Sequence, residues 1–117
     1  MLNNIVVMGY LVADPDLRMT PAGKSVCRFS IGNTRPTKDR EVDFLDIVTF
    51  NHTAEFVNKY FKKGNPIVIS GRLQTQHLVD TKDGRSTKIY EIVANSADFV
   101  PKTKAKEKTD DDLPFNI

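Results

Sequence analysis

Two phenylalanines and a set of cations carry the chemistry this sequence offers. In the segment VDFLDIVTF, residues 42–50, the odd positions Leu45, Ile47 and Thr49 can face a core. A strand's period of two then sends Val42, Phe44, Asp46, Val48 and Phe50 outward. Phe44 and Phe50 would stand roughly 20 Å apart on that face. Rings so placed can stack flat ligands such as nucleobases, each stack contributing about 1–3 kcal/mol. The same rings can instead cover a subunit interface or the foot of a helix, and this strand alone leaves both readings open.

The polar groups favour the first reading. Arg72, Gln74 and Gln76 alternate along PIVISGRLQTQHLV and share one face, where they can meet phosphates and base edges. Arg35, Lys38 and Arg40 lie in the loop before the Phe44 strand, Lys82, Arg85 and Lys88 surround the Asp83-Gly84 turn, and Lys62 and Lys63 follow a helical stretch. Aromatic residues with interleaved Lys and Arg are the signature of sequence-tolerant single-strand binding.

Catalytic and metal chemistry find little support. His52 and Glu55 are spaced i, i+3, but no second His stands at ligand spacing and Cys27 is the only cysteine, so both residues read as helix-capping groups. His77 is isolated, and no phosphate-cradling glycine loop or G-x-S-x-G turn is present. The pairs Asp14/Asp16 and Asp43/Asp46 fall where a turn and a strand explain them. The expectation is a binding protein with no catalytic residues, no metal and no cofactor.

The elements that must position these residues are legible from periodicity. NNIVVMGYLV reads as a strand bent at Gly9, with apolar residues on both faces, and ADPDLRMTPAGKS as a turn-rich loop. VCRFSIGN alternates Val26, Arg28 and Ser30 against Cys27, Phe29 and Ile31, a second strand, and VDFLDIVTF is the third. NHTAEFVNKYFKKGNP switches to a helical period through Ala54, Val57, Tyr60 and Phe61, with Asn51 placed to cap its start, Lys62 and Lys63 suited to its end and Gly64 to its C-cap. Residues 66–79 and 87–100 are strands joined across DTKDGRS as a long hairpin. Three strands, one helix and two strands describe an all-β, five-stranded antiparallel OB-fold barrel with the helix between strands 3 and 4.

Three parts are expected: a barrel over residues 1–100, a flexible basic linker over 101–109, and an acidic tip over 110–117. The linker has no hydrophobic period and reads as a disordered tail segment. The first hundred residues carry thirteen Lys/Arg against eleven Asp/Glu and the last seventeen carry four of each, so the barrel is only weakly basic. Cys27 sits in an apolar stretch and reads as a buried structural thiol. No charged-then-apolar leader and no run near the ~20 apolar residues of a membrane span is visible, which points to the cytoplasm. In the tip, Asp110, Asp111 and Asp112 precede Leu113, Pro114 and Phe115, an apolar cluster with nothing left in the chain to pack against.

NNIVVMGYLVADPDLR, VDFLDIVTF, FKKGNPIVISGRLQT and the acidic DDDLPF together resemble the bacterial and phage single-stranded DNA-binding (SSB) proteins, in order and over essentially the whole chain. The resemblance implies an OB-fold homotetramer, nucleoid-associated, around which single-stranded DNA wraps. It implies that Phe44 and Phe50 are stacking residues, that Tyr60, Lys62, Lys63 and Arg72 lie near the DNA path, and that Arg18 is the arginine after the "DP" turn. It further implies that Asp110–Asp112 with Leu113, Pro114 and Phe115 form a docking peptide for replication, recombination and repair enzymes. The sequence departs from the family's pattern in having no Trp, in Leu78 where many members carry an aromatic, in Gln76 and His77, and in Asn116 and Ile117 after the phenylalanine. A competing reading is a protein–protein adaptor with the barrel as scaffold, for which Phe44 and Phe50 would be interface residues.

Overall fold

The β-branched run at the N-terminus forms β1 (Ile5–Leu11), and the alternating VCRFSIGN segment forms the body of β3 (Ser25–Thr34). Between them lies a short β2 (Asp16–Met19), followed along the chain by β4 (Val42–Phe50), α1 (Asn51–Tyr60), β5 (Pro66–Val79) and β6 (Ser86–Phe99). The computed structural model describes residues 1–101; the remainder of the linker and the acidic tip lie outside the described residues.

The strands hydrogen-bond in the order β1-β5-β6-β4-β3-β2, and β1 pairs again with β3 through Tyr10–Gly32 and Leu11–Ile31. That second pairing closes five strands into a barrel and leaves β2 as a flap on the outer edge of β3. Closure depends on bare backbone at the seam. A Cβ on Gly9 would lie 2.7 Å from the Gly32 carbonyl oxygen and 3.1 Å from Ile31, so a side chain there would hold β1 and β3 apart.

Two details of the strand topology differ from expectation. The loop between the first two barrel strands contains β2, because Asp16–Met19, between Asp14-Pro15 and Pro21-Ala22-Gly23, are free of breakers and find the open edge of β3. The set is also not wholly antiparallel: β4 and β6 run parallel over Ile47–Ile92 and Val48–Val93, as barrel closure by this strand order requires. Counted by barrel strands, the helix does fall between the third and the fourth.

Inward-facing Cys27, Phe29, Ile31, Ile47, Ile67, Ile69 and Ile92 fill the interior, and Ala54, Val57 and Phe61 close it from the helix side. The helix ends differ from expectation. Phe50 holds the N-cap position in extended conformation with no side-chain cap, while Asn51 takes a left-handed φ of 56° as the chain reverses directly out of β4. At the other end Phe61 leaves the helix to bury itself, so Lys59 is the basic residue of the last turn. Lys62, Lys63 and Gly64 form the turn beyond it, where Gly64 takes φ 88° and its N–H donates to the Leu11 carbonyl at 2.9 Å.

Val48 keeps the outward side its parity gives but departs from the expected exposure. It is fully buried, because β4 lies in mid-sheet with Arg28 in register on one side and Val93 on the other. No helix among the described residues is long and apolar enough to cross a membrane.

Candidate nucleic-acid interface

Residues paired across strands share a face, so the registers assemble the outer surface directly. One row runs Arg18, Val26, Phe50 from β2 through β3 to β4. The next runs Asp16, Arg28, Val48, Val93, Arg72 across five strands. A third level carries Ser30 and Asp46 on one side and Glu91 and Gln74 on the other. The last carries Gly32 with Phe44, and Ile89 with Gln76. Phe44 is 58% exposed and Phe50 41%, so both rings are open to a ligand while the valines between them form a dry floor.

The polar centre of this face is a buried carboxylate. Glu91 is only 4% exposed, and three side chains donate to it: Arg28 Nη1 to Oε2 at 2.9 Å, Gln74 Nε2 to Oε1 at 2.6 Å and Gln76 Nε2 to Oε1 at 2.8 Å. A buried charge needs such partners to be tolerated. The glutamine amides expected to meet DNA therefore have their N–H groups turned to Glu91. Arg72, by contrast, is exposed and holds no ion pair among the described residues.

Beyond Val48–Val93, β4 and β6 part, opening a cleft of about 370 Å³ between Asp46, Ile47, Ile89, Tyr90 and Glu91, with Arg28, Phe29 and Ser30 on its β3 side. Asp14 and Asp16 also line it. Four carboxylates against one guanidinium make this a poor place for a phosphate and a permissible one for N–H donors.

The basic loops divide. Arg35 closes its own loop: its Nε and Nη2 donate to Asp43 at 2.9 Å each, and Nη1 to Glu41 at 2.6 Å. That fork holds the Asp43 carboxyl below the usual carboxylate range and raises the Arg35 guanidinium further. Lys38 and Arg40 stay exposed on the same loop. Lys82, Arg85 and Lys88 are exposed around the hairpin turn, where Gly84 takes φ 71° and Arg85 lies 3.8 Å from Asp83. Arg18 is exposed with Asp16 at 3.0 Å. The main chain of Lys62 and Lys63 is pinned, their N–H groups donating to Asn65 Oδ1 at 2.8 Å and Asp14 Oδ1 at 2.9 Å.

Tyr60 stands apart from the Phe44–Phe50 face. Its ring packs against Phe56 at 5.2 Å and Phe99 at 6.0 Å, under Lys59 at 5.2 Å, where the helix end meets the last residue of β6. Arg28 and Glu91 were not among the residues singled out in the sequence. The period-two pattern already sent Arg28 outward, and a glutamate within the apolar run IYEIVAN was the other available signal.

A five-stranded barrel closed through β1–β3 and β4–β6, with a helix between its third and fourth strands, is an OB-fold, a frame that binds oligonucleotides and oligosaccharides across its outer face. The profile of the single-strand binding protein family matches residues 2–100. The chain belongs to that family. The single-stranded DNA-binding protein of Oceanobacillus iheyensis is 39% identical over 104 residues, covering 86% of this chain and 64% of that protein, so the chain spans a little under two thirds of that relative's length. Single-stranded DNA-binding protein 2 of Staphylococcus aureus strain COL is 40% identical over 112 residues, covering 92% and 80%. The single-stranded DNA-binding protein of Staphylococcus aureus strain MRSA252 is 38% identical over 117 residues, covering 97% and 74%.

Proposed function

We propose that this protein binds single-stranded DNA along the outer face of its barrel, coats it without strong sequence preference, and recruits replication, recombination and repair enzymes through its acidic tip. The observation that carries the reading is the pair of exposed rings, Phe44 and Phe50, on one strand, with Arg18 two strands from Phe50 in the same row and Arg72 at the end of the next row. Bases stack on the rings, while Arg18, Arg72 and the exposed cations Lys38, Arg40, Lys82, Arg85 and Lys88 meet phosphates along the rim. Tyr60, Lys62 and Lys63 would extend the path around the helix end. Arg35 acts by shaping the loop that presents Lys38 and Arg40.

The tip supplies protein contacts: Asp110–Asp112 steer a basic partner surface, and Leu113, Pro114 and Phe115 anchor in it. A second copy of the chain is the natural cover for Val6 and Met8, which are 66% and 41% exposed on β1, and a homotetramer is the assembly we propose.

Fluorescence anisotropy of labelled oligo(dT), titrated at low and moderate salt beside labelled duplex, tests the DNA reading. Tight binding to the single strand, weakening with salt at a log–log slope near −0.7 per phosphate contact, is expected. Equal binding to duplex, or none to oligo(dT) at low salt, would sink it and favour the adaptor. The tip is tested by pull-down with the chain truncated before Asp110, which should lose partners and keep DNA binding.

A further inference from the structure

Asp46 is an anomaly on a face meant for a polyanion. It lies on β4 between the two exposed rings, two residues from Phe44 and four from Phe50, roughly 7 and 13 Å along the strand. Its side chain is exposed and has no cation paired with it among the described residues, because the one nearby guanidinium, Arg28, donates to Glu91 instead. Ser30 Oγ donates to Asp46 Oδ1 at 2.7 Å, which orients the carboxylate and leaves Oδ2 with no partner among the described residues. The cleft where β4 and β6 part opens beside it, with the 58%-exposed Tyr90 on its other wall.

A fixed carboxylate at this point repels phosphates, so a strand stacked on Phe44 must turn its backbone toward the rim arginines and its base edges toward Asp46. At such an edge a carboxylate accepts hydrogen bonds and cannot donate one. It is attracted to an exocyclic amine, as on cytosine N4, and repelled by a carbonyl in the same place, as on uracil or thymine O4. Resting on the single-stranded DNA reading above, we propose that Asp46 is a specificity-determining residue that gives an otherwise sequence-tolerant face a preference for amino-bearing bases. The stacking aromatics provide the shared affinity, and Asp46 supplies the discrimination.

The test compares oligo(dC) with oligo(dU) of equal length and label, at fixed salt and slightly alkaline pH so that cytosine N3 stays unprotonated. The two differ at position 4 and in whether N3 carries a proton, and the ratio of their dissociation constants cancels general charge effects. The expected result for the unaltered protein is about three- to tenfold tighter binding of oligo(dC), the scale of one net hydrogen bond made at a solvent-exposed site. Asp46→Asn offers a donor as readily as an acceptor and should bring the ratio within about twofold of unity while tightening oligo(dU) binding. Ser30→Ala, which removes the orienting hydrogen bond alone, should narrow the ratio part of the way. Equal binding of the two oligonucleotides by the unaltered protein, or a preference that survives Asp46→Asn, overturns the proposal and leaves single-strand binding standing. Failure to bind either oligonucleotide removes both.

Discussion

Arg28 and Glu91 meet across the outer face at 2.9 Å, one end half in solvent and the other buried: the arginine side chain is 57% exposed and the glutamate 4%. The pair is asymmetric in consequence. Arg28 can be rehydrated if the contact breaks, but Glu91 would be left with two neutral amide donors and little water.

Arg28→Ala should therefore lower stability by about 1–3 kcal/mol, the cost of leaving a buried charged group without its charged partner. Urea unfolding would show it as a shifted midpoint at constant slope. Adding Glu91→Gln should recover most of the loss. Additive losses in the double variant would mean that the pair does not interact.

Phe44→Ala and Phe50→Ala should each weaken oligo(dT) binding by about 1–3 kcal/mol with little effect on stability, since both rings are exposed. Tyr60→Ala should disturb stability more than either, because its ring packs on Phe56 and Phe99. Anisotropy and thermal melts on the same three variants separate the two effects.

Arg35 answers to two carboxylates, and Lys38 and Arg40 pair with none among the described residues. Each of Lys38→Ala and Arg40→Ala should reduce the salt-dependence slope of binding by about 0.7, whereas Arg35→Ala should leave the slope unchanged while disordering the loop. Because the fork depresses the Asp43 pKa, its stabilising contribution is full above the ordinary Asp pKa, declines as the pH falls below that value, and is gone once the pH has passed through the lowered one. An NMR titration of the Asp43 carboxyl with a midpoint at or above the ordinary Asp value near ~3.9 would contradict the fork.

Burial, with a smaller contribution from the charge of Asp16, pushes the Cys27 thiol up to about 11. The folded state thus favours the neutral thiol. Its contribution is full below the ordinary thiol pKa of ~8.5 and is lost as the pH rises toward the folded value. Native protein should resist a thiol reagent at mildly alkaline pH and react promptly in urea. Rapid labelling of the native state would show that the barrel opens at β3.

Gly71 faces the bulged part of β6, where a Cβ would lie 1.9 Å from the Val93 carbonyl oxygen and 2.8 Å from the Ala94 Cα. Both neighbours are backbone and cannot step aside. Gly71→Ala should cost about 1–3 kcal/mol or more and lower the melting temperature by at least about 5 °C. A neutral outcome would mean that β5 and β6 slide freely at the bulge.

The order of strands and helix, the outward row of Phe44, Asp46 and Phe50, the buried thiol and the hairpin turn at Asp83-Gly84 were all legible in the sequence, because each rests on a local signal: a period of two or 3.6, a β-branched run, a glycine at a tight turn. The resemblance to the SSB proteins was legible for the same reason, its motifs being contiguous. What the chain could not announce was which segments meet. The pairing of β2 with β3 overrode a loop whose breakers were plain, since an open strand edge is a property of the assembled sheet. The capture of Gln74 and Gln76 by Glu91 joins residues seventeen and fifteen positions apart across a hairpin, and the salt bridge from Arg28 spans sixty-three. Val48 became floor and Asp46 remained surface only when β6 paired alongside one and parted from the other. Local periodicity decides which side chains share a face; barrel closure decides which of them keep their water.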